Sequence, residues 1–244
     1  MKISKNKILI TGATSGIGKA LTETLLKQDN QIIAVGRNLE KLNELARLDK
    51  RIIPFQCDIS KPLELQKLVT EIKQNHQDLN ILINNAGIQY NYSFLEESDI
   101  INKIEQEVEV NLLAPLKLTA LLLPVLTLNE NSAIVNVSSG LALVPKMDAP
   151  VYCGTKAGLH IFSKALRYQL EGKVKVFEII PALVDTPMVE GRGKGKIPPQ
   201  ELVNEFIKAF KKDKFEINIG KVKLLRFVNR ISPSLADRIM KGGK

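Results

Sequence analysis

The chain has 244 residues, 44% of them hydrophobic and 25% charged. That balance excludes a disordered or fibrous chain and fits one globular domain, 1–244, able to bury roughly 70% of its unfolded surface without staples. The formal charge of +9 is uneven: residues 211–244 hold ten bases against three acids, and no set of stacking aromatics accompanies them, which argues against nucleic acid as a partner.

Met1–Lys7 is charged and runs straight into a short β-branched stretch, without the apolar core and small-residue cleavage site of a signal peptide. No run of ~18 consecutive apolar residues follows. The expectation is a soluble, cytoplasmic protein. Strand-like runs stand at 7–11, 31–35, 51–56, 79–84, 133–138 and 174–180. Between them lie stretches of helical periodicity at 17–28, 39–48, 62–75, 101–126 and 152–170. Continuous apolar strands separated by helices predict a parallel sheet covered on both faces. Right-handed crossovers make it a single-domain, Rossmann-type doubly wound α/β fold of three layers. Its ligands bind beyond the carboxyl ends of the strands, so the residues that follow each run carry the argument.

The first such segment is Thr11-Gly12-Ala13-Thr14-Ser15-Gly16-Ile17-Gly18. Glycines permit a tight turn and close backbone approach to a pyrophosphate, which the N–H groups of a helix start would hold. An ordinary βα turn also uses glycines; the position after the first strand favours a dinucleotide. The second run ends in Gly36-Arg37, and the first acid is Glu40. An arginine there pairs with a ribose 2′-phosphate, whereas a carboxylate would repel it, so NADP(H) is preferred over NAD(H). The alternative is a solvated arginine. Asp58, after the third run, either accepts from an adenine amino group or caps the turn before Ser60-Lys61-Pro62.

Asn111 lies in a helical pattern four residues before Pro115. Proline has no N–H, so the Asn111 carbonyl loses its helical partner, leaving a kinked helix or a carbonyl free to bind water on a proton path. Ser139 follows the fifth run and can hydrogen-bond a substrate oxygen; Ser138 points to the opposite face by strand alternation. Tyr152 and Lys156 are four apart, hence on one helix face. A neighbouring ammonium lowers a phenol's pKa, so Tyr152 could give a proton to a carbonyl oxygen. The pair alone also fits a surface helix. Of the two histidines, His76 reads as surface and His160 as packing. Two cysteines, Cys57 and Cys153, make neither a disulfide framework nor a metal site.

Together these residues, with Asn84-Asn85-Ala86-Gly87, Asn136–Ser139 and Pro181, resemble the short-chain dehydrogenase/reductase family in its compact form, over about residues 7–190. The resemblance implies a catalytic set of Asn111, Ser139, Tyr152 and Lys156. It implies cofactor contacts from the opening turn, with Thr14, Ser15 and Ile17, and from Asp58, Ile59, Asn85, Ala86, Gly87, Pro181, Val184 and Thr186, with Tyr152 and Lys156 also on the cofactor and Lys156 reaching its ribose hydroxyls. It also implies a homodimer or homotetramer. The family's usual Pro-Gly is Pro181-Ala182 here, and alanine resists positive φ. Asn136–Leu141 and the tail 224–239 are further similar to bacterial oxidoreductases associated with D-alanine esterification of teichoic acid.

Residues 188–199 hold Gly191, Gly193 and Gly195, which suggests a lid over an apolar site for a small carbonyl or alcohol. Phe215–Ile219 alternates like a last strand, and Ser232-Pro233 opens a final helix. The basic extension, 211–244, suits either a docked terminal element or an anionic membrane surface. The chain therefore reads as an NADP-dependent carbonyl reductase. The alternatives are a non-catalytic dinucleotide sensor on the same fold, or a reductase attached peripherally to membrane by its tail.

Overall fold

A computed structural model describes residues 1–241; Gly242, Gly243 and Lys244, the end of the basic extension, lie outside the described residues. Seven strands form one parallel sheet in the order β3-β2-β1-β4-β5-β6-β7. They are β1 Lys7–Thr11, β2 Gln31–Gly36, β3 Ile52–Gln56, β4 Ile81–Asn84, β5 Ala133–Val137, β6 Lys175–Pro181 and β7 Glu216–Ile219. β4 and β5 are buried at every position, which is why their sequences are nearly continuous apolar runs. This is the doubly wound, Rossmann-type fold that the alternation predicts.

The helices cover both faces. Helices α1 Gly16–Leu26, α2 Leu39–Leu48 and α7 Pro199–Lys211 pack on one hydrophobic cluster. Helices α3 Pro62–Asn75, α5 Ala114–Thr127 and α6 Pro150–Gln169 pack on the other. α7 adds to the expected elements: Leu202, Val203, Phe206 and Phe210 recur at helical spacing and are buried. α8 Val222–Ile231 and α9 Pro233–Lys241 close the described chain.

The chain enters at β1, winds outward to β3 and returns to β4 beside β1. That reversal sets the Gly12–Gly18 turn next to Asn85–Gly87, at the crevice where such sheets bind ligands. Opposite, α4 Ile100–Val108 passes into α5 through a π-helical turn, Glu109–Leu113. Pro115 denies the Asn111 carbonyl its α-helical donor, and the helix widens by one residue there rather than ending. The continuous stretch Ile100–Thr127 is long and apolar enough to cross a membrane by length and composition, with a hydropathy of 1.7. Half of that window is buried, as in the core helix of a globular fold.

Candidate active site

A cavity of about 740 Å³ opens at the carboxyl ends of the strands. Its floor is the opening turn. Gly12 and Gly16 have φ of +67° and +51°, a conformation that favours glycine. A Cβ on Gly16 would stand 2.8 Å from Thr186 Cγ2, and one on Gly18 only 2.1 Å from the Gly12 carbonyl oxygen. Gly18 thus lets α1 seat against β1 without reaching the cavity, whereas Gly12 and Gly16 line it. The first turn of α1 has no side-chain cap from Ser15 and opens on the cavity at Ser15, Gly16 and Ile17, so its N–H groups are free of a side-chain acceptor where an anion could bind.

Thr11 ties the turn to β4. Its hydroxyl accepts from the backbone N–H groups of Asn85 and Ala86, each at 3.0 Å. Asn85 Nδ2 returns a bond to the Thr11 carbonyl at 2.9 Å. Asn85 is therefore a staple between the two segments as well as a wall residue. At the cavity's far end stand Arg37, Asn38 and Lys41, while Glu40 is not among the lining residues. Lys41 escaped the sequence reading; its signal is its place in the first turn of α2, four residues beyond Arg37. Asp58 lines the cavity with Ile59, and it also takes the capping role. Its Oδ1 accepts from the Ser60 N–H at 3.0 Å and the Ser60 hydroxyl at 2.7 Å.

The reacting end gathers Ser139, Tyr152 and Lys156 on one wall. Ser139 caps a short 3-10 turn, accepting from the Leu141 N–H at 3.1 Å, and shares the cavity wall with Tyr152. Ser138 points into the sheet and donates to Glu178, as strand alternation requires. Lys156 Nζ donates to the Val137 carbonyl at 2.9 Å and lies 5.7 Å from the Tyr152 ring centroid. An ammonium has three donors, so two remain for the cavity.

The electrostatics correct one expectation. Burial pushes the Tyr152 phenol up to about 12, and the Ser139 hydroxyl opposes that only in part. Burial also brings Lys156 down to about 8, with Glu178 pulling it back up. The lone spacing argument counted the ammonium and omitted the desolvation of both groups, which is larger here. The Tyr152 phenol therefore keeps its proton through the neutral range.

Asn111 sits one layer behind the wall. It is fully buried, and its amide clamps the Ile88 backbone in both directions, Oδ1 accepting from the N–H and Nδ2 donating to the carbonyl, each at 2.8 Å. Gly87 lies between, since a Cβ there would meet Asn111 Oδ1 at 3.2 Å and Lys156 Nζ at 3.5 Å. Pro181, Val184 and Thr186 line the cavity as well. Ala182 follows β6 without a positive φ, and Gly220 takes the left-handed conformation beside it, so the Pro-Ala sequence carries no strain. His160 is a hydrogen-bonding residue rather than mere packing: its Nδ1–H donates to Glu178 at 2.8 Å. His76 is half-buried at the end of α3 rather than on the surface.

The expected lid segment carries three left-handed glycines, Gly191, Gly193 and Gly195. Arg192 reaches across the mouth to Asn91 Oδ1 at 2.8 Å. Beyond it α8 leans over the cavity with Leu225 and Val228, and α9 adds Ile239 and Met240, apolar walls that the sequence did not assign. Gly140 makes room for α8, because a Cβ there would come within 2.9 Å of Val222 Cγ2.

The short chain dehydrogenase family profile matches residues 6–196. The uncharacterized oxidoreductase DltE of Bacillus subtilis (strain 168) is 37% identical over 237 residues, 94% of each chain. The very-long-chain 3-oxoacyl-CoA reductase of Mus musculus is 32% identical over 188 residues, 75% of this chain and 60% of its own length. Among solved structures, a short chain dehydrogenase from Burkholderia cenocepacia J2315 in complex with NADP superposes with a TM-score of 0.88 at 25% identity, covering 98% of this chain and 99% of its own. The chain therefore belongs to the short-chain dehydrogenase/reductase family. It is an oxidoreductase, with a nicotinamide dinucleotide as its cofactor.

Proposed function

We propose that the protein is an NADP(H)-dependent reductase that interconverts a carbonyl and a secondary alcohol. The observation that carries this is the convergence of Ser139, Tyr152 and Lys156 on the cavity floored by the glycine turn. The turn and the bare start of α1 would hold a pyrophosphate, Arg37 and Lys41 a 2′-phosphate, and Thr186 with Val184 the carboxamide end. When bound, the reduced cofactor supplies a hydride to the carbonyl carbon. Ser139 holds the carbonyl oxygen beside Tyr152. The phenol gives that oxygen its proton, so hydride and proton together complete the alcohol. Lys156 faces the phenolate left behind and stabilises it.

A non-catalytic sensor fits less well. Keeping Lys156 buried and charged works against stability, and dinucleotide binding alone does not require it. The substrate wall favours an apolar carbonyl compound: Leu141, Met188, Val189, Leu225, Val228 and Met240 surround the space beyond Tyr152. A panel of ketones of increasing apolar length, read by nicotinamide absorbance with both cofactors, tests this reading. The reading expects kcat/KM to rise several-fold with apolar length and to be higher with NADPH. A best substrate that is small and charged would overturn it.

The terminal helices favour a second property, peripheral attachment to an anionic membrane. Phe227, Ile231 and Leu235 are exposed along α8 and α9 outside the cavity, interleaved with Lys223, Arg226, Arg230 and Arg238. Apolar side chains flanked by bases match the acyl boundary and headgroups of such a surface. The outer faces of α5 and α6 expose Leu121, Leu128, Ile161 and Tyr168, which suits a second copy of the chain in a homodimer or homotetramer.

A further inference from the structure

Beneath the reacting wall lies a buried charge that the proton transfer itself does not use. Glu178, in the middle of β6, is fully buried. It stands opposite Asn136 in the sheet register, on the side of β5 that α6 covers. Its carboxylate accepts from the Ser138 hydroxyl and from His160 Nδ1–H, the latter at 2.8 Å to Oε2 and 3.0 Å to Oε1. Ser138 is the neighbour of Val137, whose carbonyl holds Lys156 Nζ. Tyr152, Lys156 and His160 follow one another at steps of four along α6, so all three face this seam.

The surroundings are complete enough to assign signs. From α6 come Lys156, His160 and Arg167; from β7, Glu216; from α8, Arg226. Arg226 and Arg167 engage Glu216 at 2.6 and 3.6 Å, which leaves Glu178 to serve Lys156 and His160. A fully buried carboxylate is retained at a cost unless positive charge compensates it. Here His160, its side chain 14% exposed, meets the carboxylate directly, and the Lys156 ammonium stands beyond it across the Ser138–Val137 link.

We propose that Glu178 is a positioning residue for the reaction: its carboxylate is the counter-ion that keeps Lys156 an ammonium, and His160 trims that field from the solvent side. The inference deepens the function proposed above and rests on it only for its consequence in turnover. The Glu178 hydrogen bond raises His160 above its ordinary value of 6.5, so its charge persists toward neutral pH and is lost as pH rises through the raised value. As His160 discharges, the full negative charge of Glu178 turns to Lys156 and holds its proton further into the alkaline range. The arrangement resists deprotonation of Lys156 where a lone buried lysine would lose its charge.

The test is the titration of Lys156 in the protein alone. Acetic anhydride labelling at a series of pH values, quantified on the Lys156 peptide by mass spectrometry, reports the fraction of free amine. Glu178→Gln keeps the size and hydrogen-bonding capacity, and is expected to move the Lys156 midpoint down by about one pH unit. His160→Gln keeps a donor to Glu178 without charge. The His160 charge is lost as pH rises through its raised value and does not oppose Glu178 in the alkaline range, so this variant is expected to leave the Lys156 midpoint in place. A fall in Glu178→Gln with none in His160→Gln distinguishes the carboxylate's charge from the hydrogen-bonded seam. No shift in Glu178→Gln, or equal falls in both variants, would overturn the inference. Should Glu178→Gln fail to fold, Glu178→Asp decides: it withdraws the charge by one methylene, a lowered midpoint supports the inference, and an unchanged midpoint overturns it. The alkaline limb of kcat/KM is then followed in the same variants. If labelling shifts as expected and that limb does not, Glu178 stands as the counter-ion and the catalytic use of Lys156 fails.

Discussion

Arg37 and Lys41 make a sharper distinction than any other pair of side chains in the molecule. Both flank the far end of the cavity, while Glu40 is outside its lining. A 2′-phosphate there would meet two cations, whereas a bare ribose hydroxyl would gain little from either. Charge-assisted bonds of this kind contribute about 1.5–3 kcal/mol. Arg37→Ala is therefore expected to weaken NADPH by roughly 10- to 100-fold, with NADH nearly unchanged. Fluorescence titration of both nucleotides at one fixed salt concentration measures the ratio. Equal losses would remove the basis for NADP(H) preference. At the other end of the cavity, the phenol near 12 and the amine near 8 show that burial, more than proximity, sets the starting charge state of the pair.

Among the elements, the opening turn and the start of α1 form the most constrained unit. Gly16 combines φ of +51° with a virtual Cβ 2.8 Å from Thr186 Cγ2. Gly16→Ala should cost about 1–2 kcal/mol from the left-handed backbone alone, lowering Tm by roughly 2–8 °C in a chain of this size. Thr186→Ser removes the opposing methyl, so the double variant should recover the contact part of the loss but not the backbone part; calorimetry on the four proteins reads this coupling. A fully additive pair would show that Thr186 is not what confines Gly16. This turn was legible in the sequence because the geometry is local: strand, glycines and helix follow within a dozen residues. Helices α2 and α3 begin and end where periodicity places them. The Glu178–His160 pair was not legible. It joins β6 to α6 across the sheet, and a single glutamate inside an apolar run gives no sign of its partner. The clamp of Asn111 on Ile88 was hidden likewise, since Pro115 announces a disturbed helix but not the π turn that absorbs it.

At the scale of the whole molecule, the sheet and helices 1–7 build the crevice, and the terminal helices give it an apolar roof. That roof continues outward as the exposed row Phe227, Ile231 and Leu235, set among bases. Sedimentation with vesicles of anionic and of neutral lipid tests whether it meets a membrane. The expected result is binding to anionic vesicles only, reduced at high salt and lost in Phe227→Asp/Ile231→Asp. If the wild type ignores both kinds of vesicle, and the double variant dissociates an oligomer instead, the row is an interface between copies.

The account turns on one hydroxyl. Tyr152→Phe removes the proton donor and leaves the glycine turn, Arg37 and Lys41 in place. Single-turnover mixing of the variant with NADPH and the best ketone of the panel measures both halves: nucleotide fluorescence reports binding, and loss of nicotinamide absorbance reports hydride transfer. The expected result is NADPH binding within about threefold of wild type, with hydride transfer slowed by at least 10²- to 10⁴-fold, the usual contribution of a positioned acid. A variant that reduces the ketone at the wild-type rate would contradict the account.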